Sequence, residues 1–217
     1  MKLHRPSFDR LAQNYRALEF VAFGRDLERA RFRHLERLRH CRRILVLGEG
    51  DGRCLARLVR IAPEAHIHCL DISAGMLARA AARLAGTPAA DRVTFEQADI
   101  LADGPLPTGF DAVTTFFFLD CFTAEQAAGI VARVQAALRP ESLWLFTDFA
   151  LPARGFARLR ARAWLATLYA FFRWQTGLPA RELPPSEHLI EQAGFVLEAA
   201  EELQNGLLRS VVFQRKA

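Results

Sequence analysis

The glycine-rich stretch RILVLGEGDGR, residues 43 to 53, constrains the fold of this chain more than any other part of it. Four apolar residues, Ile44 to Leu47, predict a short buried strand, and an apolar pattern with helical spacing begins at Leu55. Glycine lets the backbone turn sharply and approach a ligand closely, and the start of a helix offers unpaired N–H groups to a polar or anionic ligand. The stretch therefore predicts a strand–loop–helix unit that binds a ligand. Three glycines stand at alternate positions in the loop: Gly48, Gly50 and Gly52.

An acidic residue follows the next predicted strand. That strand, His66 to Leu70, ends in Asp71, 19 residues after Gly52, where a carboxylate can accept hydrogen bonds from both hydroxyl groups of a ribose. The glycine spacing is G-x-G-x-G, whereas the pyrophosphate-binding pattern is G-x-G-x-x-G. Glu49 and Asp51 in the loop would repel a pyrophosphate and suit an ammonium or sulfonium cation. These features favour S-adenosylmethionine over NAD or FAD.

Three further segments stand in register with this loop: ISAGML after Asp71, FEQADI at residues 95–100 and FDAV at residues 110–113. With the loop they cover about residues 41 to 150 and resemble the class I S-adenosylmethionine-dependent methyltransferases. The resemblance implies an α/β fold, a doubly wound, mostly parallel seven-stranded sheet (the Rossmann-like methyltransferase fold) with an antiparallel last strand, and S-adenosylmethionine as the cofactor. The alternative is a plain strand–turn–helix without a ligand.

The chain departs from the family pattern in the first strand, where Val46 stands in place of the usual acid. Our hypothesis is that Glu49 takes over the electrostatic role of that acid. The resemblance also implies that Asp99 accepts a hydrogen bond from the adenine amine and that Ile100 packs on the adenine face, with an ordinary loop aspartate as the alternative for Asp99. The candidate cofactor-binding residues are Tyr15, Gly48, Glu49, Gly50, Gly52, Asp71, Ile72, Met76, Asp99, Ile100 and Phe116.

Residues 7 to 40 have apolar side chains at every third or fourth position among charged ones, which predicts helices. The segment FDRLAQNYRALEFVAFG resembles the N-terminal segment of ubiquinone/menaquinone-type methyltransferases, which lies over the cofactor. The resemblance implies a helical lid in residues 1–40, with Phe8, Tyr15 and Phe23 as lid residues, on a methyltransferase domain of residues 41–217. A helix that only packs its apolar stripe on the core would have the same pattern.

Two carboxylates follow the fourth and fifth predicted strands, Asp111 to Leu119 and Leu143 to Phe146. Because ligands sit at the carboxyl ends of parallel strands, Asp120 and Asp148 are placed near the site of methyl transfer. A base is needed only if the acceptor must lose a proton, and a buried carboxylate or a histidine can take one near neutral pH. Each candidate has a helix cap or a structural hydrogen bond as its alternative role. The candidate catalytic residues are Asp120, Asp148 and His188, with Tyr15 and His4 behind them.

Cap and turn residues mark the ends of several predicted elements. Ser73 and Thr123 are predicted to cap helices, and Pro140 is predicted to end the helix that Thr123 begins. Asn205 and Gly206 predict a hairpin turn between the last two strands.

Residues 151 to 185 predict a helical insert in which aromatic residues alternate with arginines. The insert is expected to be either a cap that walls an apolar acceptor site or a surface that contacts lipid, which makes peripheral membrane contact an open alternative. A helix packed on its neighbour without substrate contact is the third interpretation.

Composition narrows the class of protein. A chain of 217 residues with 51% hydrophobic residues suits one α/β domain with appendages. It has no run of 18 apolar residues and no apolar signal-peptide region at the N-terminus, so we expect a cytoplasmic protein. The four cysteines form no C-x-x-C pair, so we expect no metal site, with a thiol role such as arsenic binding as the alternative.

Three functions compete. The first is a methyltransferase for a small, apolar or aromatic acceptor, with O-, C- or N-methylation open. The second is a nucleic-acid methyltransferase, which the net charge of +5 would support. However, the N/D-P-P-Y/F tetrapeptide of base-amino methylases is absent, since residues 118–121 read FLDC, so a small-molecule substrate is expected rather than nucleic acid. The third is a non-catalytic module that binds S-adenosylmethionine.

Overall fold

The computed structural model describes residues 25–102, 104–152, 154–176 and 180–216. The predicted lid residues Phe8, Tyr15 and Phe23, together with His4, lie outside these ranges. The strands are β1 (Arg43–Leu47), β2 (His66–Asp71), β3 (Val93–Gln97), β4 (Phe110–Phe116), β5 (Leu138–Phe149), β6 (Phe195–Leu203) and β7 (Leu208–Arg215). The α-helices are α1 (Asp26–Phe32), α2 (Arg53–Ile61), α3 (Ala74–Leu84), α4 (Ala124–Ala137), α5 (Gly155–Thr176) and α6 (Ser186–Gln192).

The described strands form one seven-stranded sheet in the order β3-β2-β1-β4-β5-β7-β6. The strands from β3 to β5 pair in parallel, whereas β7 runs antiparallel to both β5 and β6. This confirms the doubly wound sheet with an antiparallel last strand. The chain order reverses between β1 and β4, so the crevice at their carboxyl ends is the place where a sheet of this type binds its ligand.

Both faces of the sheet are buried. Along β1, Ile44 and Val46 belong to the cluster under α2 and α3, while Leu45 and Leu47 belong to the cluster with α4 on the opposite face. Helices on both faces explain why the parallel strands are nearly continuous apolar runs rather than alternating ones. The sheet core therefore holds the strand ends in fixed positions at the carboxyl edge.

The ends of two strands differ from the predicted ones. β4 ends at Phe116 rather than Leu119, because Phe117 turns into the left-handed region (φ 52°) and residues 119–121 form a 3₁₀ turn. β5 begins at Leu138 rather than Leu143. The strand therefore includes Pro140, which was expected to end the preceding helix, and the pairing with β4 is shifted between Phe110 and Ala112.

Side-chain caps fix the starts of two helices that follow ligand-facing loops. Ser73 accepts a hydrogen bond from the Met76 N–H at the start of α3. Thr123 and Gln126 form a reciprocal capping box at the start of α4. Both caps agree with the sequence-based expectation for Ser73 and Thr123, and each satisfies N–H groups that would otherwise lack partners.

Candidate active site

The three loop glycines all have left-handed backbones, with φ values of 68°, 72° and 84° for Gly48, Gly50 and Gly52. A Cβ at Gly52 would lie 2.5 Å from the Cα of Ala80, so this glycine allows α2 and α3 to pack closely. A Cβ at Gly48 would overlap the ring of Phe118, whereas a Cβ at Gly50 would meet nothing within 4 Å. Gly50 therefore presents bare backbone to open space, and Phe118 covers the loop at Gly48.

Asp71 points towards this loop from the end of β2. Its Oδ1 accepts a hydrogen bond from the Ser73 N–H over 2.9 Å, and its Oδ2 lies 3.5 Å from the Gly50 nitrogen. Ile72 is partly buried beside it, and the Ile72 carbonyl accepts from the Gln97 side chain. The carboxylate and the open glycine thus face each other across neighbouring strands, which fits the ribose end of an adenosyl group.

Glu49 faces the first turn of α2. Its Oε1 accepts the Leu55 N–H over 2.7 Å. Burial raises the pKa of Glu49 to about 7, against the opposing effects of hydrogen bonds from Leu55 and Cys54 and the charge of Arg31. The carboxylate therefore stabilises the positive end of α2, and it exchanges a proton near neutral pH.

Asp51 does not face a ligand cation as expected. Its carboxylate pairs with Arg53 at 3.0 Å and with Arg83 at 2.9 Å. Burial opposes ionisation of Asp51, but these two arginines outweigh it and lower its pKa. Arg53 stands only two positions from Asp51, whereas Arg83 on α3 comes beside the loop only in the folded chain.

The loop expected to hold the adenine lies between β3 and β4. Asp99 is partly buried, and its Oδ1 accepts the Leu101 N–H over 2.9 Å, while Ile100 is buried. Arg133 on α4 reaches under this loop and donates to the carbonyls of Ile100, Ala102 and Gly104. Sequence reasoning missed Arg133, since a lone arginine on a helix gives no signal of its target 29 to 33 positions away.

Two other candidate cofactor residues are buried. Met76 is 5% exposed at the start of α3, and Phe116 is 8% exposed at the end of β4. Phe116 packs in the cluster under α2 and α3.

The two candidate catalytic aspartates meet at the carboxyl edge. The Asp120 N–H donates to Oδ2 of Asp148 over 3.1 Å, and Oδ1 of Asp148 accepts the Phe149 N–H over 2.9 Å. Burial and the charge of Asp120 raise the pKa of Asp148 well above its ordinary value. Burial likewise raises the pKa of Asp120 to about 6. Asp148 is buried and Asp120 is partly buried beside it. Because two such carboxylates disfavour double ionisation, the pair holds a proton that it can exchange near neutral pH.

Tyr169 on α5 and Cys121 complete this cluster. The Tyr169 hydroxyl donates to the Asp120 carbonyl over 3.1 Å, and the Cys121 thiol lies 3.6 Å from Oδ1 of Asp120. Burial and then the charges of Asp120 and Asp148 raise the pKa of Tyr169, so its phenol stays protonated and donates. Neither residue was predicted for the site, although Tyr169 belongs to the aromatic insert that was expected to wall it.

Two pairs of aromatic rings come from residues next to the aspartates in the chain. Phe117 and Phe149 lie 5.2 Å apart between ring centroids, and Phe118 and Phe122 lie 5.1 Å apart. Arg31 on α1 stacks over Phe117 at 5.0 Å. The edge thus carries a carboxylate pair with aromatic neighbours in sequence, next to the glycine loop.

His188 occupies a different position from the aspartates. It is exposed on α6, where its Nε2 hydrogen bonds with the Gln192 side chain over 2.9 Å. Among the described residues, no hydrogen bond links the His188 ring to Asp120 or Asp148. The structure therefore brings together two of the three predicted catalytic side chains.

A groove of about 730 Å³ lies between α2 and the segment from α1 to Arg39. Arginines dominate its lining, and Arg57 stacks on Phe32 at 4.7 Å within it. The groove is separate from the aspartate pair, since none of its lining residues belongs to the carboxyl-edge cluster. The same described part of the chain contains no group of three or more His, Cys, Asp and Glu side chains arranged to hold a metal ion.

Residues 44–141 match a family model described as a methyltransferase domain. Among solved structures, an O-methyltransferase from Nostoc punctiforme aligns with a TM-score of 0.73 at 16% identity, covering 97% of this chain and 61% of that one. An O-methyltransferase family protein from Burkholderia thailandensis aligns with a TM-score of 0.70 at 16% identity, covering 100% of this chain and 66% of that one. A mitomycin 7-O-methyltransferase aligns with a TM-score of 0.67 at 21% identity, covering 96% of this chain and 60% of that one.

At these identities the solved structures establish the fold, and this chain spans less than two thirds of the length of each. The family model covers β1 to the start of β5, which is the part that carries the glycine loop, Asp71 and Asp99. The bare backbone at Gly50 and the carboxylate of Asp71 fit an adenosyl group. Residues 44–141 thus match a methyltransferase domain, the described residues have the fold of the aligned structures, and the loop fits S-adenosylmethionine as the cofactor.

Proposed function

We propose that this protein transfers a methyl group from S-adenosylmethionine to a hydroxyl oxygen of a small apolar or aromatic acceptor. The observation that carries the proposal is the contact between Asp120 and Asp148 at the carboxyl ends of β4 and β5, beside the switch point. A buried carboxylate pair next to the cofactor loop supplies a proton acceptor where the acceptor oxygen would lie. Phe118 links the two features, because its ring lies against Gly48 and it stands two residues before Asp120.

When bound, the cofactor supplies an electrophilic methyl group on a sulfonium. The protein's own part is to hold the acceptor in line with that methyl group and to exclude water. Asp71 and the backbone at Gly50 would hold the adenosyl group. Asp120, whose pKa of about 6 leaves it mostly ionised at pH 7, would accept the hydroxyl proton as the new O–CH₃ bond forms. Asp148 would remain the protonated partner that keeps the pair singly charged.

The aromatic surrounding supports an apolar acceptor. Phe117, Phe118, Phe122 and Phe149 offer ring faces and edges, and Tyr169 adds a phenol that donates rather than accepts. Such a wall binds a flat, apolar molecule well and leaves few partners for a highly charged one. One aligned solved structure is a mitomycin 7-O-methyltransferase and another is an O-methyltransferase family protein, which is consistent with this acceptor class.

We also propose that α1, at the start of the described residues, is the part of a lid that reaches the site. The Ala30 carbonyl accepts from the Ser210 hydroxyl over 3.0 Å, which anchors α1 on β7. Arg31, the next residue, stacks on Phe117, and its charge acts to lower the pKa of both Glu49 and Asp120. A segment anchored in this way would couple the N-terminal region to the protonation state of the active site.

The test uses methyl-labelled S-adenosylmethionine with a panel of phenols and quinols and, separately, with nucleic acid. We expect label in a small phenolic or quinol product. We also expect Asp120→Asn to lower kcat at least a hundredfold while the affinity for S-adenosylhomocysteine stays within twofold, since general-base catalysis contributes about 10² to 10⁴ in rate. The control variant is Asp111→Asn, which should keep the wild-type kcat. Asp111 lies at the opposite end of β4, where its carboxylate accepts hydrogen bonds from the Arg42 and Arg43 N–H groups.

Label in nucleic acid instead of small molecules would contradict the proposal and point to the arginine-lined groove. Cofactor binding without label in any acceptor would support the non-catalytic module. A full rate in Asp120→Asn would contradict the role of this carboxylate without affecting the family assignment.

A further inference from the structure

Helix α5 has two apolar stripes, and only one of them is buried. The buried stripe packs on the site through Ala161, Leu165 and Tyr169, which are 4 to 6% exposed. The exposed stripe follows the spacing 3-4-3-4 and lies on the solvent side, because 3.6 residues per turn place these positions on one face. Its members are Phe156, Leu159, Ala163, Ala166 and Ala170.

The exposed stripe is most apolar at its N-terminal end. Phe156 is 79% exposed and Leu159 is 66% exposed, whereas Leu151 before the helix and Trp164 outside the stripe are 37% and 39% exposed. Two large apolar side chains this exposed, one turn apart on the same helix face, mark an interaction surface rather than ordinary surface residues.

The charges beside this stripe have one sign. Residues 149 to 181 contain six arginines and no Asp or Glu, although the whole chain has 24 acidic residues. Arg160 lies on one side of the exposed stripe, and Arg162 and Arg173 lie on the other, all three exposed. Long arginine side chains at the flanks of an apolar stripe can reach phosphate groups while the stripe enters the acyl region.

We propose that the exposed face of α5 binds the surface of an anionic lipid bilayer. The charge pattern decides between this occupant and a second copy of the chain. In a two-fold interface the same face meets itself, so the arginines of one copy would lie opposite those of the other. An anionic bilayer instead offers phosphate groups to the arginines and hydrocarbon to Phe156 and Leu159. The helix lies on the bilayer rather than across it, since no helix in the described ranges is long and apolar enough to span a membrane.

The surface is independent of the proposed reaction, because its side chains face solvent whereas Tyr169 belongs to the buried stripe. A bilayer-bound α5 would also place the aromatic site close to the hydrocarbon phase in which apolar acceptors dissolve.

The test is co-sedimentation of the full chain with vesicles of phosphatidylcholine alone and with vesicles that also contain phosphatidylglycerol. We expect binding to the anionic vesicles only, weakening with added salt. Replacing Arg160 and Arg162 by glutamine should weaken binding about fivefold per arginine, because each basic residue near an anionic surface contributes about 1 kcal/mol.

Two double variants are compared: Phe156→Ser/Leu159→Ser on α5 and Val196→Ser/Leu197→Ser on β6. The β6 variant is the control. It removes two other exposed apolar side chains, which are 42% and 41% exposed, and so tests whether any exposed apolar patch binds the vesicles. We expect only the first to abolish sedimentation, with S-adenosylhomocysteine affinity unchanged as the check that the variant is folded. Equal losses in both pairs, or binding to neither vesicle, would overturn the proposal. A concentration-dependent dimer that the first pair dissociates would overturn it in favour of self-association.

Discussion

The backbone N–H of Asp120 donates a hydrogen bond to the side chain of Asp148 over 3.1 Å, although the two residues stand 28 positions apart. Asp120 follows β4, whereas Asp148 is the penultimate residue of β5, and the pairing of Phe116 with Thr147 brings the two strands level there. The contact has a consequence for protonation, since it holds two carboxyl groups together in a buried place. The pair is thus a product of strand register rather than of local sequence.

The aspartate pair should leave a signature in the pH dependence of stability. The folded pKa values of Asp120 and Asp148 are raised above the ordinary value, so the folded state binds more protons than the unfolded state from about pH 4 upward. The free energy of unfolding should therefore fall as pH rises through 4 to 6, by up to about 1.4 kcal/mol per pH unit for each proton. Urea denaturation at several pH values measures this slope.

In the double variant Asp120→Asn/Asp148→Asn, the free energy of unfolding should fall less steeply as pH rises over this range. The fall that remains is the contribution of Glu49 between about pH 4.5 and pH 7. Asp91→Asn, at an exposed position before β3, should keep the wild-type slope. A double variant with an undiminished slope would show that the pair does not share a raised pKa.

Gly50→Ala should separate cofactor binding from backbone strain. Gly50 and Gly86 have nearly the same left-handed φ, 72° and 73°, and a Cβ at either meets nothing within 4 Å. Both alanine variants should lose about 1 to 2 kcal/mol of stability from the strained backbone. Only Gly50→Ala should also lower the affinity for S-adenosylhomocysteine, by tenfold or more, because its methyl group enters the space next to Asp71. Calorimetry measures the affinity, and equal affinities in the two variants would remove Gly50 from the cofactor site.

Asp71→Ala should weaken cofactor binding at least tenfold through loss of the ribose acceptor. Asp111→Ala is the matched control, since Asp111 also accepts backbone N–H groups, those of Arg42 and Arg43 at 2.7 and 2.8 Å. The control should lower stability while leaving cofactor affinity intact. Titration with adenosine beside S-adenosylhomocysteine tests the same point, because both ligands carry the ribose. If Asp71→Ala binds both as tightly as the wild type, the ribose assignment is wrong.

Arg31→Gln should move the acidic limb of the pH–rate profile. The Arg31 charge favours ionised Asp120, so its removal should raise the pKa of Asp120 and shift the rise in kcat/KM to higher pH. Arg29→Gln is the control, because Arg29 is exposed and pairs with Asp26 on the same helix. If the pH–rate profiles of both variants coincide with that of the wild type, the charge of Arg31 does not affect the proton transfer assigned to Asp120.

Several features of the fold follow from short stretches of sequence. The apolar run before three alternate glycines predicted β1 and its loop, because strand, turn and helix signals there lie within about 15 residues. Ser73 and Thr123 were predicted as caps because a cap acts on N–H groups two or three positions away. The turn at Asn205 and Gly206 was predicted from residues that adopt positive φ, and both do, at 56° and 82°.

Other features depend on contacts between distant parts of the chain. The strand signal of residues 116–119 is uniformly apolar, so nothing local indicated that Phe117 would end β4 by donating its N–H to the Thr147 carbonyl. The pairing of Asp51 with Arg83 and the reach of Arg133 under residues 100–104 are likewise set by how helices pack on the sheet.

The sequence by itself determined the first strand, the glycine loop and the helix after it, because those depend on periodicity, glycine conformation and turn chemistry that act over a few residues. Only the tertiary structure decided the state of the carboxyl edge. Strand register set Asp120 against Asp148, and the packing of α5 placed Tyr169 over them. Burial then changed their pKa values, and solvent exposure of a charged side chain is a property of the folded whole.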